Sequence, residues 1–354
     1  MYIAVAIIAF GILIAVHEFG HLLASKLLGV KVNEFAIGMG PKLLKKQGKE
    51  TLYTIRAIPF GGFCALEGQD EGNGNPRAFA SQKRWRRTVI LVAGSASNFV
   101  VAFIIVLILS TTLTTVFGTT ITRLVEGFPN EGEDGLMVGD TIVSIDGERL
   151  YYFDDFSLFM QLAAGRPVDL VLQRDGETIA LNNFPLERRE YMVDGEMQLR
   201  YGLSFDSIEV NFLGQLRYAG YQAMNFVRLI RVSLVYLFSG SFALDDFAGP
   251  VGIVDAMNSI GQASPSFAVA LANISYFTAF IAVNLAVFNM LPIPALDGGR
   301  VLFLFITFAV EKIMRRRLNP KYEGYIHTGA MVLLVGLMVL VLVNDVLKLV
   351  SANS

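Results

Sequence analysis

The chain has 354 residues, 53% hydrophobic and 17% charged, with a net charge of -2. Its mean hydropathy of +0.52 excludes a wholly soluble globular enzyme, and the near-neutral balance gives no electrostatic footing for nucleic acid. A single cysteine, Cys64, excludes an internal disulfide framework and a thiolate metal cluster.

A transmembrane helix needs about 20 mostly apolar residues, and four stretches meet that requirement. The first runs from Tyr2 to about Leu28 and is interrupted by His17, Glu18 and His21. A cleaved signal peptide opens on basic residues, is shorter and ends in small residues; this stretch does none of these and reads as a retained span. The loop after it alternates over Val32 to Ile37 and Thr51 to Ile58, ahead of Gly61-Gly62, which predicts strands lying near the membrane. A second span is predicted from about Thr88 to Phe117, entered from the basic stretch Lys83, Arg84, Arg86 and Arg87.

Residues 119–206 read as a small α+β domain. Alternating runs such as Thr141 to Ile145 and Pro167 to Gln173 are separated by Asp146-Gly147 and Asp175-Gly176, and an Asp-Gly pair between such runs signals a hairpin. In residues 207–264, Phe212, Leu216, Ala219, Ala223, Phe226, Ile230 and Leu234 recur at helical spacing. That stripe predicts an amphipathic helix, either lying on the membrane surface or packed on the preceding domain. The third span is split: Ala268 to Met290 is apolar, Leu291-Pro292-Ile293-Pro294 breaks it, and Val301 to Val310 is apolar again. The fourth runs from about Thr328 to Leu347. The organisation is therefore 1–118 (two spans and the strand-forming loop), 119–206 (domain), 207–264 (helical linker) and 265–354 (two further spans).

Charge is distributed unevenly. Residues 111–264 hold 10 arginines, no lysine and 21 acidic residues, a net of -11; the remainder holds 19 basic and 10 acidic residues, a net of +9. By the positive-inside bias, the basic loops Lys31 to Arg87 and Lys312 to Lys321 are cytoplasmic, which puts the 119–206 domain and both termini outside.

His17-Glu18-Phe19-Gly20-His21 carries the chemistry. Positions i and i+4 share a helix face, so both imidazoles can bind one zinc while the glutamate between them reaches a water as general base. The bland alternative is a pair of helix-packing histidines, but ionisable residues inside a span are costly and usually mark function. A catalytic zinc takes three protein ligands. His327 is the only histidine left and sits beside Tyr325 at the edge of the fourth span, where an interfacial role suits it better. Asp297 follows the Pro292 and Pro294 break and precedes Gly298-Gly299; irregular backbone at membrane depth is tolerated where it is buried in protein or lines a wet cavity. Asp297 is thus either the third ligand or the N-cap of the segment from Val301.

These motifs, with Asn284-Leu285-Ala286-Val287-Phe288-Asn289 leading into the Pro-Ala-Leu-Asp-Gly-Gly run, closely resemble the site-2 proteases, a family of intramembrane zinc metalloproteases. The likeness spans nearly the whole chain. Gly94-Ser95-Ala96-Ser97-Asn98-Phe99 in the second span, and Gly135 to Gly147, which is similar to the turn and strand of bacterial PDZ domains, point to the regulator-of-sigma-E protease type. The resemblance implies a multi-pass α-helical membrane protein with about four transmembrane helices, a membrane-associated β-hairpin and an extracytoplasmic PDZ domain. It implies that His17, His21 and Asp297 hold zinc, that Glu18 activates water, and that Asn284 and Asn289 line the site where substrate backbone is held. Interhelical hydrogen bonding is the other reading of the two asparagines.

The implied substrates are single-pass transmembrane proteins, cleaved after prior trimming of their ectodomains, in a bacterial inner membrane with the active site toward the cytoplasm. Membrane lipid is the other partner. Thr51 to Ile58 is expected to hold an unwound substrate by adding it to a sheet edge. One PDZ domain is present where some relatives carry two, and Arg300 follows the glycine pair where some carry histidine. The alternatives are a non-enzymatic PDZ scaffold, which has no use for Glu18 between two ligands, and a transporter, which the lack of repeated halves disfavours.

Overall fold

The structure, a computed structural model, describes residues 1–69, 74–193, 196–238, 249–314 and 320–352. The chain folds as two compact units, Met1–Ser110 with Leu216–Ser354, and Thr111–Gln215.

The first unit opens with helix α1, Tyr2–Leu27. Strands β1 (Val32–Gln47) and β2 (Leu52–Leu66) follow as an antiparallel pair. Both are long enough to double back, β1 bending at Gly38 and Gly40 and β2 at Gly61, all at positive φ. Phe35 therefore has Cys64 on one side and Tyr53 on the other, and Tyr53 in turn has Lys46 beyond it. This corrects the expected role of Thr51 to Ile58: Leu52 to Ile55 are flanked by β1 on both sides and present no free edge. The edge segments are Gly62 to Leu66, paired only with Val32 to Ile37, and Lys42 to Gln47, paired only with Leu52 to Arg56. The base of the sheet is pinned to α1 by Lys26, whose Nζ donates to Glu50 at 2.6 Å and to Thr51 at 2.7 Å. Arg77, with Lys26, holds the Glu50 carboxyl down at about 2.

Helix α2 spans Arg84–Ser110. It starts earlier and ends sooner than the predicted span, so Arg84, Arg86 and Arg87 form its first turn and Phe117 lies in a strand. Four threonines among residues 111–115 explain the stop, because β-branched side chains are stiff on a helix and suit a pleated strand.

The second unit is built on strands β3 (Thr115–Leu124), β4 (Thr141–Ile145) and β5 (Glu148–Arg149), helix α3 (Phe153–Ala163), then β6 (Val168–Arg174), β7 (Glu177–Phe184), β8 (Arg189–Val193), β9 (Glu196–Arg200) and β10 (Leu203–Glu209). One sheet runs β10-β3-β4-β6-β7 with β5 attached to β4, and β8 pairs β9 separately. Both Asp-Gly pairs are hairpin turns: Asp146 and Gly147 (φ 51° and 79°) join β4 to β5, and Asp175 and Gly176 (φ 48° and 87°) join β6 to β7. Ile142, Ile145, Leu170, Leu172, Phe156 and Met160 fill the core. Inside it Asp140 is fully buried, and Arg174 answers both its oxygens at 2.7 and 2.8 Å while the Met137 amide donates at 2.8 Å. A buried charge is tolerated only with such pairing.

The chain then returns to the first unit. Helix α4, Phe212–Phe238, buries Ala219, Ala223, Phe226 and Ile230 of the expected stripe. Helices α5 (Pro250–Ala263) and α6 (Phe267–Asn289) follow. The α4 stripe packs on α6, where Phe226 meets the rings of Tyr276 and Phe280 at 5.2 and 5.6 Å. After a turn at residues 290–296 come α7, Asp297–Met314, and α8, Pro320–Ala352. Buried Asp345 of α8 accepts from the Gly249 and Gly252 amides at the start of α5, at 3.2 and 2.9 Å. Arg84 reaches Glu311 at 2.6 Å, joining α2 to α7.

Among the described residues four helices are long and apolar enough to cross a membrane: α1, α2, α6 and Gly324–Asp345 within α8. The side chain of His327 lies outside the described residues.

Candidate active site

Three helices meet around the motif of the first span. His17 and His21 lie one turn apart on α1, and α2 passes close beside them. That approach depends on Gly94: a Cβ there would overlap His21 Nε2 and come within 2.8 Å of His17 Cε1. The third contributor enters from the broken span. Side chains at 298 and 299 would strike the backbone of Met290, Leu291, Ile293 and Pro294, so the Gly298-Gly299 pair lets the turn fold tightly enough to start α7 at Asp297. Its carboxylate does not spend itself as a simple helix cap. Oδ2 of Asp297 lies 3.2 Å from His17 Nε2 and 3.1 Å from His21 Nε2, and the two nitrogens are 3.3 Å apart.

The dimensions of this triangle suit a metal. Four ligands at about 2.0–2.1 Å in tetrahedral array stand about 3.3 Å from one another, which is the edge observed here. Side-chain exposures of 12% for His17, 11% for His21 and 19% for Asp297 leave the group enclosed yet reachable. His21 is also oriented from behind. Its Nδ1 lies 2.8 Å from the Ile90 carbonyl; a carbonyl only accepts, so Nδ1 carries the proton and Nε2 presents its lone pair to the triangle.

Glu18 points to the neighbouring sheet edge. The backbone amide of Cys64 hydrogen-bonds it, and a Cβ on Gly62 would lie 3.4 Å from its Cγ. Cys64 itself is no thiolate: burial, followed by the proximity of Glu18, pushes its thiol up to about 12. The predicted Asn284 and Asn289 are half-buried in the last two turns of α6, just before the break.

The structure thus brings His17, His21 and Asp297 together with Glu18 beside them. It adds two groups that sequence reasoning missed, the Ile90 carbonyl and the Cys64 amide. Both are backbone atoms and carry no residue-type signal. Gly94 did carry one, within the glycine-asparagine pattern, but its reason is visible only once α2 is seen against the imidazoles.

The family model for peptidase family M50 matches residues 5–337. The chain belongs to peptidase family M50. As an M50 peptidase it is similar over its whole length to a protein of Clostridium perfringens provisionally named a zinc metalloprotease, at 35% identity covering 98% of this chain and 99% of that one. Zinc metalloprotease RasP of Shouchella clausii is 29% identical, covering 97% of this chain and 98% of its own. Regulator of sigma-W protease RasP of Bacillus subtilis is 27% identical, covering 97% of each chain. With its apolar helices, this M50 member is a membrane protein.

Proposed function

We propose that this M50 peptidase is a zinc-dependent intramembrane endopeptidase that hydrolyses a peptide bond within or near the transmembrane segment of single-pass membrane proteins. The observation that carries the reading is the His17, His21 and Asp297 triangle, closed to tetrahedral edge lengths, with Glu18 on the same helix between the two histidines. The zinc metalloprotease names of the relatives support the choice of metal. Bound zinc supplies Lewis-acid polarisation of the scissile carbonyl and activation of water at neutral pH. Glu18 takes the proton from the attacking water and returns it to the leaving amine, and the Cys64 amide holds its carboxylate by a hydrogen bond. Asn284 and Asn289 offer amide groups to a substrate backbone. A substrate helix has its backbone groups satisfied internally and must unwind before its carbonyl enters the site, so helix-breaking residues in the substrate favour cleavage.

The test is cleavage of a reporter with a helix-breaking span by the purified protein in proteoliposomes. Cleavage is expected, its loss on chelation, and its return with zinc; activity indifferent to chelation would sink the metal assignment, and inactivity across a panel of such reporters would favour the scaffold reading.

In this proposal four spans cross a bacterial inner membrane, the basic loops face the cytoplasm, and the Thr111–Gln215 unit lies outside as a PDZ-like domain. That unit screens substrates, admitting those already trimmed by another protease. The basic loops Lys31 to Arg87 and Lys312 to Lys321 support an outward position for the unit, and its separate compact fold supports an independent module. Deleting residues 119–206 is expected to let untrimmed reporter be cleaved as readily as trimmed. Unchanged preference for trimmed reporter would remove the screening role.

A further inference from the structure

His21 has a hydrogen-bond partner behind its metal-facing nitrogen, and His17 has none within the described chain: its Nδ1 is buried without one. A metal-binding histidine normally donates its second ring N–H to an oxygen, which fixes the tautomer and raises ligand basicity. The asymmetry points to a group that the direct hydrogen bonds do not show.

Helices α1 and α2 run past one another in opposite directions. Gly20 abuts the Ala93 carbonyl and the Ser97 hydroxyl, and His21 reaches Ile90. One turn back along α1, His17 therefore meets α2 one turn further on, at Gly94, where a Cβ would come within 2.8 Å of His17 Cε1. Asn98 is four residues beyond Gly94 on the same face. Side chains on a helix lean toward its N-terminus, so Asn98 leans over the turn that carries His17. Asn98 is fully buried, and neither its Oδ1 nor its Nδ2 has a partner. Ser95, three residues before it, is 4% exposed with its hydroxyl also unpartnered. Three orphaned buried polar groups in one turn are costly singly, and together they supply the two to four partners that a buried water requires.

We infer that Asn98, with Ser95, holds an enclosed water that accepts the Nδ1 proton of His17, making Asn98 a positioning residue for the metal site. It touches neither substrate nor metal. The inference rests on the zinc reading above and concerns how His17 is aimed.

Two quantities separate this role from helix packing. Zinc affinity of the purified full chain is measured by chelator competition, and the thermal midpoint is measured on the metal-free form. Asn98→Leu is expected to weaken zinc about 10–100-fold while leaving the metal-free midpoint unchanged or higher, because it removes unsatisfied polar atoms from an apolar contact. Asn98→Ser, which keeps a hydroxyl able to hold water, is expected to restore part of the affinity. Wild-type zinc affinity in Asn98→Leu overturns the proposal. So does a parallel loss of zinc and midpoint in both variants, which assigns Asn98 to packing alone. Wild-type protein that binds no zinc refutes the metal reading itself, a distinct outcome.

Discussion

Glu18→Gln is expected to lower cleavage of a membrane-anchored reporter by about 10²–10⁴-fold, the usual worth of a positioned general base, while bound zinc stays at the wild-type level. The substitution is nearly isosteric and leaves the His17, His21 and Asp297 triangle intact. The glutamine amide retains an oxygen to accept from the Cys64 amide, so its orientation persists and only the capacity to take a proton is lost. The comparison is made in cells lacking other intramembrane proteases, at equal protein levels, with zinc assayed on the purified pair. Equal cleavage by both forms would mean that proton transfer does not pass through Glu18; loss of zinc together with activity would mean that Glu18 is a ligand.

Gly94→Ala is expected to be nearly as damaging by a different route. Its methyl group would occupy the space of His21 Nε2 and press on His17 Cε1, and a displacement on the order of 1 Å at a reacting centre can cost about 10²-fold. Zinc should fall with activity, because the imidazoles themselves must move. Alanine favours helix more than glycine does, so α2 should remain helical and the protein should still accumulate in the membrane. Gly324→Ala, where an added Cβ meets nothing within 4 Å, is the matched control. Full zinc occupancy and cleavage in Gly94→Ala would show that α2 stands further from α1 in the working protein.

Residue type and spacing carried most of the site. Two histidines four apart in an apolar run share a face whatever the tertiary fold, and Asp297 is conspicuous because prolines and a glycine pair interrupt a span around it. The sheet was less legible. Alternation marks Thr51 to Ile58 as a strand, but pairing depends on where the backbone bends, and the bends at Gly38, Gly40 and Gly61 wrap β1 around it on both sides. Hydropathy also misplaced the end of α2, since threonine is nearly neutral on such scales while its branched Cβ decides between helix and strand. The α4 stripe announced a buried face without naming its partner; α6, some 50 residues later, had no feature that singled it out.

Two corners of the triangle come from residues 17 and 21 and the third from residue 297. Synthesis begins at the first two, so a growing chain holds only a pair of imidazoles until the broken span has been made and has folded back against α1. A chain ended before Asp297 has no third donor, so on the proposed reading the metal site cannot form until the C-terminal part of the protein has been made.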